Sequence, residues 1–338
     1  MVIFAAVCSL IVAACSPSAP APQTPEAPGQ PQSASAPAAP PAPPAAPEKV
    51  KVAFVTNNAS DFWKIAEAGT KKAAEELGCE VLFRIPATGS AQEQQQIMED
   101  LIVKGVSGIA ISPNDPANWT DTLNEFASKV NLITQDSDAP QSNRACYIGT
   151  NNYDAGVAAG ELLKKVLPNG GKIMMFVGKL DAQNAQDRKR GIEDTIKDTG
   201  ITVIDTLTDE TDRAKAMSNA QDTIVKYPDV ACLVGLWSYN GPALLNAVRD
   251  SGKEGQVKIV CFDEEEATLL GVSQKAIEGT IVQQPFEFGY QSVKLMNQLA
   301  KGDRSGIPES KQIFVPVKTI TAENVEEFRA TLSQQIGR

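Results

Sequence analysis

The segment after the first apolar run carries side chains that could bind a flat, hydroxylated ligand. Val52–Val55 is followed by the polar residues Asn57 and Ser60 and then by the adjacent aromatic residues Phe62 and Trp63. Amide and hydroxyl groups pair with ligand hydroxyls, while aromatic rings cover apolar C–H faces. The pattern indicates a binding loop at the carboxyl end of a strand, and the alternative is that both aromatics are ordinary core residues of a helix start.

Charged side chains at later positions would be stronger partners for hydroxyls. Asp136 and Asp138 follow one apolar run, Asp263 follows another, and Arg188 lies in the charged run 187–190. Each has a simpler explanation, since Asp136 could cap a helix and Arg188 could belong to a solvated surface. Asp263 opens four consecutive acids, which are favoured at a helix N-terminus in any case.

Two further candidates, Trp237 and Asn240, follow the apolar run 232–236. An indole ring at this place offers a stacking surface, and an amide offers both a donor and an acceptor. Trp119 follows a different polar turn and is assigned to packing outside the expected cleft.

Short apolar runs alternate with amphipathic stretches from residue 49 onward, which predicts an α/β fold with parallel sheets covered on both faces. Helices are predicted over 64–77 and 91–103. About ten βα repeats exceed one comfortable open sheet, so two sheets side by side are expected. The strands are predicted to begin near Val50, Val81, Gly108, Asn131, Lys172, Val203, Cys232, Lys258 and Gly279.

The N-terminus predicts export and tethering. Residues 1–14 form an apolar stretch too short to span a bilayer, and the run 12–15 resembles a bacterial lipobox ending at Cys15. No lysine or arginine precedes the stretch, which departs from the usual pattern. Residues 15–48 are rich in Ala and Pro and predict a disordered spacer, so the lipid anchor would be the protein's sole membrane attachment.

Composition excludes several classes of function. A formal net charge of −10 argues against nucleic acid as a partner, and the absence of histidine excludes triads and metal sites that need it. No phosphate-binding glycine loop follows the first strand. We therefore predict no cofactor, no metal and no catalytic residue, although a glycosidase that uses two carboxylates stays open. The four cysteines after residue 49 are interpreted as small buried hydrophobes.

Several segments together resemble the periplasmic sugar-binding proteins of the ribose/glucose type, which have the type I periplasmic binding protein fold. The resemblance spans the chain from residue 50 to the C-terminus and is nearest to the glucose-binding branch. The segments are Phe54–Trp63, Gly108–Pro113, Ile133–Pro140, Tyr147–Asn152, Trp237–Pro242, Val260–Asp263 and Gly279–Pro285.

The resemblance implies two doubly wound lobes, 49–151 plus 284–315 and 152–283 plus 316–338, joined by three hinge crossings. It also implies that Asp136, Arg188, Asp263 and Gln283 bind the hydroxyls of a sugar. Ser137 stands where the ribose-type pattern has an arginine, and Trp237 stands where it has an asparagine, which argues against ribose itself.

By this resemblance the protein is the sugar receptor of an ABC transporter, a monomer that binds a monosaccharide or polyol and delivers it to a permease. It would act at the periplasmic or extracellular face of a membrane. The alternative is a sugar-sensing lipoprotein that presents its ligand to a histidine kinase or chemoreceptor. A repressor of related fold is unexpected, because the export signal and spacer occupy the place of a DNA-binding head.

Overall fold

A computed structural model describes Pro20 and residues 49–337 of the 338-residue chain. The predicted signal peptide, Cys15 and nearly all of the predicted spacer lie outside the described residues. Within the part that is described, no helix is both long and apolar enough to cross a bilayer.

The described body contains twelve strands and ten helices. In chain order they are β1 Lys51–Val55, α1 Asp61–Leu77, β2 Glu80–Arg84, α2 Ala91–Val103, β3 Gly108–Ile111, α3 Thr120–Ala127, β4 Asn131–Gln135, β5 Tyr147–Gly149, α4 Asn152–Val166, β6 Gly171–Val177, α5 Gln183–Ile196, β7 Ile201–Thr208, α6 Arg213–Lys226, β8 Val230–Gly235, α7 Asn240–Asp250, β9 Lys258–Phe262, α8 Glu266–Ser273, β10 Gly279–Val282, α9 Pro285–Ala300, β11 Gln312–Phe314, β12 Lys318–Ile320 and α10 Val325–Gln335.

The strands form two six-stranded sheets with the same winding. Their orders are β11-β5-β4-β3-β1-β2 and β12-β10-β9-β8-β6-β7. Every pair is parallel except β10 with β12. The order reverses between β1 and β3 in one sheet and between β6 and β8 in the other, and doubly wound sheets bind ligands at such switch points. The predicted α/β fold with two doubly wound lobes is confirmed; we call the lobes the β1 lobe and the β6 lobe.

The chain passes between the sheets three times: after β5, between β10 and α9, and between β11 and β12. Side chains join these crossings. The Thr150 hydroxyl donates to Oε1 of Gln283 at 2.9 Å, and Nε2 of Gln284 donates to the Pro316 carbonyl at 2.7 Å. Because each bond links two different crossings, bending at one crossing is coupled to bending at the next.

In the β1 lobe, helices α1 and α9 approach each other through glycines. A Cβ atom at Gly69 would lie 2.0 Å from the Phe286 carbonyl oxygen, and one at Gly289 would lie 2.1 Å from that of Ala66. No side chain fits into that space, so the two helix backbones are in direct contact. The helices cannot slide past each other without losing this contact.

The β6 lobe repeats the arrangement with α4 and α5. A Cβ at Gly156 would lie 2.2 Å from the Arg188 carbonyl oxygen, and one at Gly191 would lie 2.2 Å from that of Tyr153. Here the close approach also fixes the backbone of Arg188, a predicted ligand residue. The packing of α4 against α5 therefore determines the position of the backbone from which the Arg188 side chain extends.

Candidate functional site

Asp136 and Asp263 occupy equivalent places in the two lobes. The first follows β4 and the second follows β9, and each amide donates to the neighbouring strand, at Ile148 O (3.1 Å) and Ile281 O (2.9 Å). Both have a positive φ, of 59° and 66°. Aspartate tolerates this left-handed conformation better than most residues, although it remains sparsely populated.

Hydroxyl groups on the adjacent strands hold these two turns in place. The Tyr147 hydroxyl donates to the Asp136 carbonyl at 3.0 Å, and the Thr280 hydroxyl donates to the Asp263 carbonyl at 2.7 Å. A left-handed residue persists where its surroundings overdetermine it, and such positions cluster at functional sites. In both lobes this left-handed residue, held by a hydroxyl of the adjacent strand, directs its carboxylate away from the strand end and into the cleft.

The Asp136 carboxylate is held from two neighbouring strand ends. Its Oδ2 accepts from the Ser112 hydroxyl at 2.9 Å and lies 3.4 Å from Nδ2 of Asn57. Asn57 is oriented in turn by the indole of Trp63, whose Nε1 donates to its Oδ1 at 3.1 Å. One carboxylate oxygen is thus anchored, and Oδ1 is left for other donors.

The Asp263 carboxylate is linked to the crossings between the lobes. Nε2 of Gln283 donates to its Oδ1 at 3.0 Å, and Gln283 accepts from Thr150, as described above. All three residues are buried. A chain of hydrogen bonds therefore leads from a residue facing the cleft to two of the crossings.

Arg188 is a buried cation, only 2% exposed. Nη1 donates to the Leu236 carbonyl at 2.7 Å and Nε donates to Oδ1 of Asn152 at 3.0 Å. The guanidinium lies over the Phe262 ring, 4.5 Å from its centroid. These contacts fix the plane of the fork and leave part of its five donors for a ligand.

The electrostatics of this cluster are unbalanced, because one guanidinium faces two carboxylates. Burial raises the pKa of Asp136 to about 6, against the opposing effects of the Ser112 hydrogen bond and the Arg188 charge. Burial also raises the pKa of Asp263, although Arg188 and Gln283 act to lower it. Burial lowers the pKa of Arg188, although it remains charged. Ligand hydroxyls that donate to the carboxylates would replace the water they have lost.

This geometry agrees with what the comparison with known proteins shows. Residues 52–304 match the family model of the periplasmic binding protein domain. The chain belongs to this family. The proteins it matches are substrate-binding proteins, and the chain is a binding protein rather than an enzyme.

The proteins similar to this periplasmic binding protein include one named for ribose import and one solved with a bound sugar. The ribose import binding protein RbsB of Bacillus subtilis is 25% identical over 262 residues, which cover 77% of this chain and 83% of the relative. A solute-binding protein of an ABC transporter from Burkholderia graminis, solved with D-arabinose, is 30% identical with a TM-score of 0.76; the match covers 81% of this chain and 96% of that one. A chain of the XylFII–LytSN complex is 25% identical with a TM-score of 0.73, and the match covers 82% of this chain and 99% of that one.

The first-loop residues of this periplasmic binding protein separate into two groups. Ser60 is exposed at the start of α1, and the half-buried Phe62 lines a cavity with it. Trp63 is 1% exposed and packs edge-on against Phe54, so its ring faces the core rather than the cleft. Of the two predicted stacking faces, the structure brings Phe62 to the cleft, whereas Trp63 supports Asn57 from behind.

The predicted residues after β8 also separate. Trp237 is half-buried, and its ring covers Gly178, where a Cβ would lie 2.2 Å from the indole. Asn240 is completely buried; its Oδ1 accepts from the Trp237 amide at 3.0 Å and its Nδ2 donates to Asp209 at 3.2 Å. Asn240 therefore fixes the turn that carries Trp237 and has little capacity left for a ligand.

Asp138 lies apart from the Asp136–Asp263 cluster because both its oxygens are engaged by its own lobe. Oδ2 accepts from Nη2 of Arg144 at 2.7 Å, and Oδ1 accepts from the Thr134 hydroxyl at 2.7 Å. Arg144 is only 5% exposed, so this is a largely buried ion pair. The prediction that Asp138 binds the ligand is not supported by this geometry.

Sequence reasoning missed several residues that position the site. Ser112 and Asn152 bind Asp136 and Arg188 directly, as described above. Gln94 is fully buried and donates to the carbonyls of Thr56 (2.9 Å) and Ser112 (2.7 Å), which ties the first loop to the end of β3. Gln94 lies in the predicted helix 91–103, where nothing in the sequence separates it from the other glutamines of that helix.

Proposed function

We propose that this periplasmic binding protein is the sugar receptor of an ABC transporter, binding one monosaccharide ring, a hexose such as glucose or a pentose, between its two lobes. The observation that carries the proposal is the equivalent placement of Asp136 and Asp263, one from each lobe, around the buried Arg188. The D-arabinose bound by the Burkholderia graminis protein and the ribose in the name of RbsB support this class of ligand.

The chemistry of a sugar matches the groups in the cleft. Hydroxyls round the ring edge donate to Asp136 and Asp263 and accept from Arg188, and aromatic rings such as Phe62 and Trp237 suit the ring faces. Hydrogen bonds to charged groups contribute about 1.5–3 kcal/mol each. Three such partners contribute about 4.5–9 kcal/mol, to which neutral hydrogen bonds and contacts with the aromatic rings add against the cost of ordering.

The proposal is tested by measuring thermal stability and calorimetric binding against D-glucose, D-galactose, D-allose, D-ribose, D-xylose and D-arabinose. A ligand that binds the folded state alone adds about 2.7 kcal/mol of stability at a hundredfold excess over Kd. At least one of these sugars is expected to raise the melting temperature and bind with Kd in the micromolar range or below. If none of them binds, the proposed function is wrong.

Sugar binding is expected to weaken in acid. A protonated carboxyl no longer accepts two hydroxyl donors, so binding needs Asp136 in its charged form, and its pKa of about 6 means that it gains a proton as the pH falls through 6. The apparent Kd at pH 5 should be about tenfold higher than at pH 8.

The control for this pH dependence is Asp136→Asn, which should bind more weakly at every pH and show a flatter profile. Asp263, whose pKa is also raised, would add to the residual slope. For the stability of the sugar-free protein the pH dependence has the opposite sign. Because the folded protein raises the pKa of Asp136 above the ordinary value near 3.8, this carboxyl stabilises the fold at pH below 3.8, and its contribution to the stability is lost as the pH rises through about 6. An affinity that is constant from pH 8 to pH 5 would contradict the assignment of Asp136 as an acceptor.

The proposal includes attachment through a lipid on Cys15 and delivery of sugar to a permease by a monomeric receptor. The lipobox-like run 12–15 and the Ala- and Pro-rich segment after it support the anchor. Mass spectrometry of the N-terminal peptide from the membrane fraction tests it, and an unmodified Cys15 would exclude the anchor.

A second candidate function is sensing, with the ligand-bound form presented to another protein. The observation that favours it is the similarity to a chain solved in the XylFII–LytSN complex. Co-purification from native membranes distinguishes the two: a permease partner supports transport, and a histidine kinase or chemoreceptor partner supports sensing.

A further inference from the structure

The cavity that Ser60 and Phe62 line borders the carboxylate cluster. It has a volume of about 770 Å³ and is bounded by the start of α1 in the β1 lobe, by the segment 263–269 in the β6 lobe and by the outer face of α10. Asp263 belongs both to the cluster around Arg188 and to the wall of this cavity. A ligand held by Asp263 therefore borders the cavity directly.

The cavity is large compared with what one ring at the cluster requires. Ligand pockets of about 300–1,000 Å³ hold molecules of drug size, so 770 Å³ has room for a further ring. Its wall is polar on both sides, with Ser60 from one lobe and Ser238 from the other. Phe62 adds an aromatic surface.

Most charges on the wall are neutralised by neighbours. Glu265 receives two hydrogen bonds from Arg213, at 2.8 and 3.2 Å, and Glu266 receives one from Arg329 at 2.7 Å. Glu264 differs from both. It is 8% exposed, and its Oε2 is buried without a hydrogen bond from any residue of the described chain.

A buried carboxyl oxygen without a donor is costly, and native proteins rarely leave one so. Burial, followed by the neighbouring Asp263 charge, raises the pKa of Glu264 well above its ordinary value. The residue thus lines the cavity with one carboxyl oxygen that has no donor among the described residues, and a donor group placed there would supply one.

We infer that this cavity is a second subsite, in which Glu264 accepts a hydrogen bond from a second sugar ring joined to the ring at the Asp136–Asp263 cluster. The inference rests on the proposed function, because Asp263 links the two places. The preferred ligand is then a disaccharide or glycoside, with a hydroxyl of its outer ring directed at Glu264.

The test compares single rings with matched two-ring sugars by calorimetry on the full chain: D-glucose with maltose, D-galactose with melibiose, and D-xylose with xylobiose. In at least one pair the two-ring sugar should bind about tenfold more tightly, the gain expected from one added hydrogen bond. The Glu264→Gln variant should lose about that factor for the two-ring sugar and change less than twofold for the single ring.

Two further variants guard against a fold defect. Leu332→Trp, on α10, adds bulk to the cavity wall and should reproduce the selective loss. Glu278→Gln removes a carboxylate paired with Lys258 at the amino end of the sheet, away from the cavity, and should leave both affinities unchanged.

The outcomes separate the two proposals. Binding of single rings without any gain for two-ring sugars overturns the subsite and leaves the proposed function intact. A gain that survives in both Glu264→Gln and Leu332→Trp also overturns the subsite. Binding of none of these sugars, single or double, overturns both.

Discussion

Asp263→Asn should weaken binding of the cognate sugar at least about thirtyfold, or about 2 kcal/mol. Asparagine keeps the size of the side chain and tolerates the left-handed φ of 66°, so the backbone of the turn should survive. It replaces a charged acceptor by a neutral one next to Arg188, and hydrogen bonds to charged groups contribute about 1.5–3 kcal/mol. Calorimetry gives the affinity, and the melting temperature of the sugar-free protein should change little or rise.

Asp138→Asn is the matched control, because it makes the same chemical change in an aspartate engaged by Arg144 within one lobe. Removing one partner of a buried ion pair costs about 3–5 kcal/mol, less here because Asp138 is 18% exposed. This variant should therefore lose stability and keep its affinity. Equal affinities for Asp263→Asn and the unmodified protein would exclude Asp263 as a ligand residue.

Gly156→Ala should destabilise the protein by about 2 kcal/mol, the upper end of the overpacking cost less the gain in helix propensity. Alanine is favoured over glycine within a helix by about 1 kcal/mol, so an exposed site would gain stability. Here the new Cβ would lie 2.2 Å from the Arg188 carbonyl oxygen, which forces α4 and α5 apart. Overpacking of this kind costs about 1–3 kcal/mol and occasionally more. Denaturant unfolding with and without sugar measures both effects, since displacement of Arg188 should also weaken binding.

The control is Lys165→Ala on the exposed face of the same helix, where a change within about 0.5 kcal/mol is expected. Unchanged stability and affinity in Gly156→Ala would show that the α4–α5 contact has slack and that it does not determine the position of Arg188.

The sequence pattern predicted the fold well because buried strands and amphipathic helices leave a strong periodic signal. All nine predicted strands are present, with starts within two residues of those predicted. Helix α2 has the predicted bounds, Ala91–Val103, and Trp119 packs in a core cluster as predicted. Three strands were missed, β5, β11 and β12, and each has three residues, too few for an alternating pattern to be recognised.

The candidate site was predictable in part, for a physical reason. Asp136 and Asp263 stood out because they are charged residues directly after apolar runs, whereas Arg188 lies within α5 and was indicated only by the resemblance to the family. Which way a side chain turns is decided by the neighbours that the fold brings to it. The Asp138 carboxylate pairs with Arg144, and the Trp63 ring packs in the core against Phe54. Periodicity contains no information on either contact.

The burial of polar side chains was also not predictable from the sequence pattern. Glu264 and Gln94 lie in polar surroundings in the sequence, yet both are buried. Likewise Leu77, the apolar last residue of α1, is 37% exposed. Solvent exposure at element ends depends on tertiary contacts that a one-dimensional pattern does not record.

The glycine contacts between helices make each lobe a rigid platform, and this has a practical consequence for optical sensors. Val103 at the end of α2 and Val225 near the end of α6 are 86% and 78% exposed, and they occupy equivalent positions on the two lobes. A donor dye at Val103 and an acceptor dye at Val225 would each be attached to one rigid lobe. A change in energy transfer between them would then report the angle at the three crossings and little else.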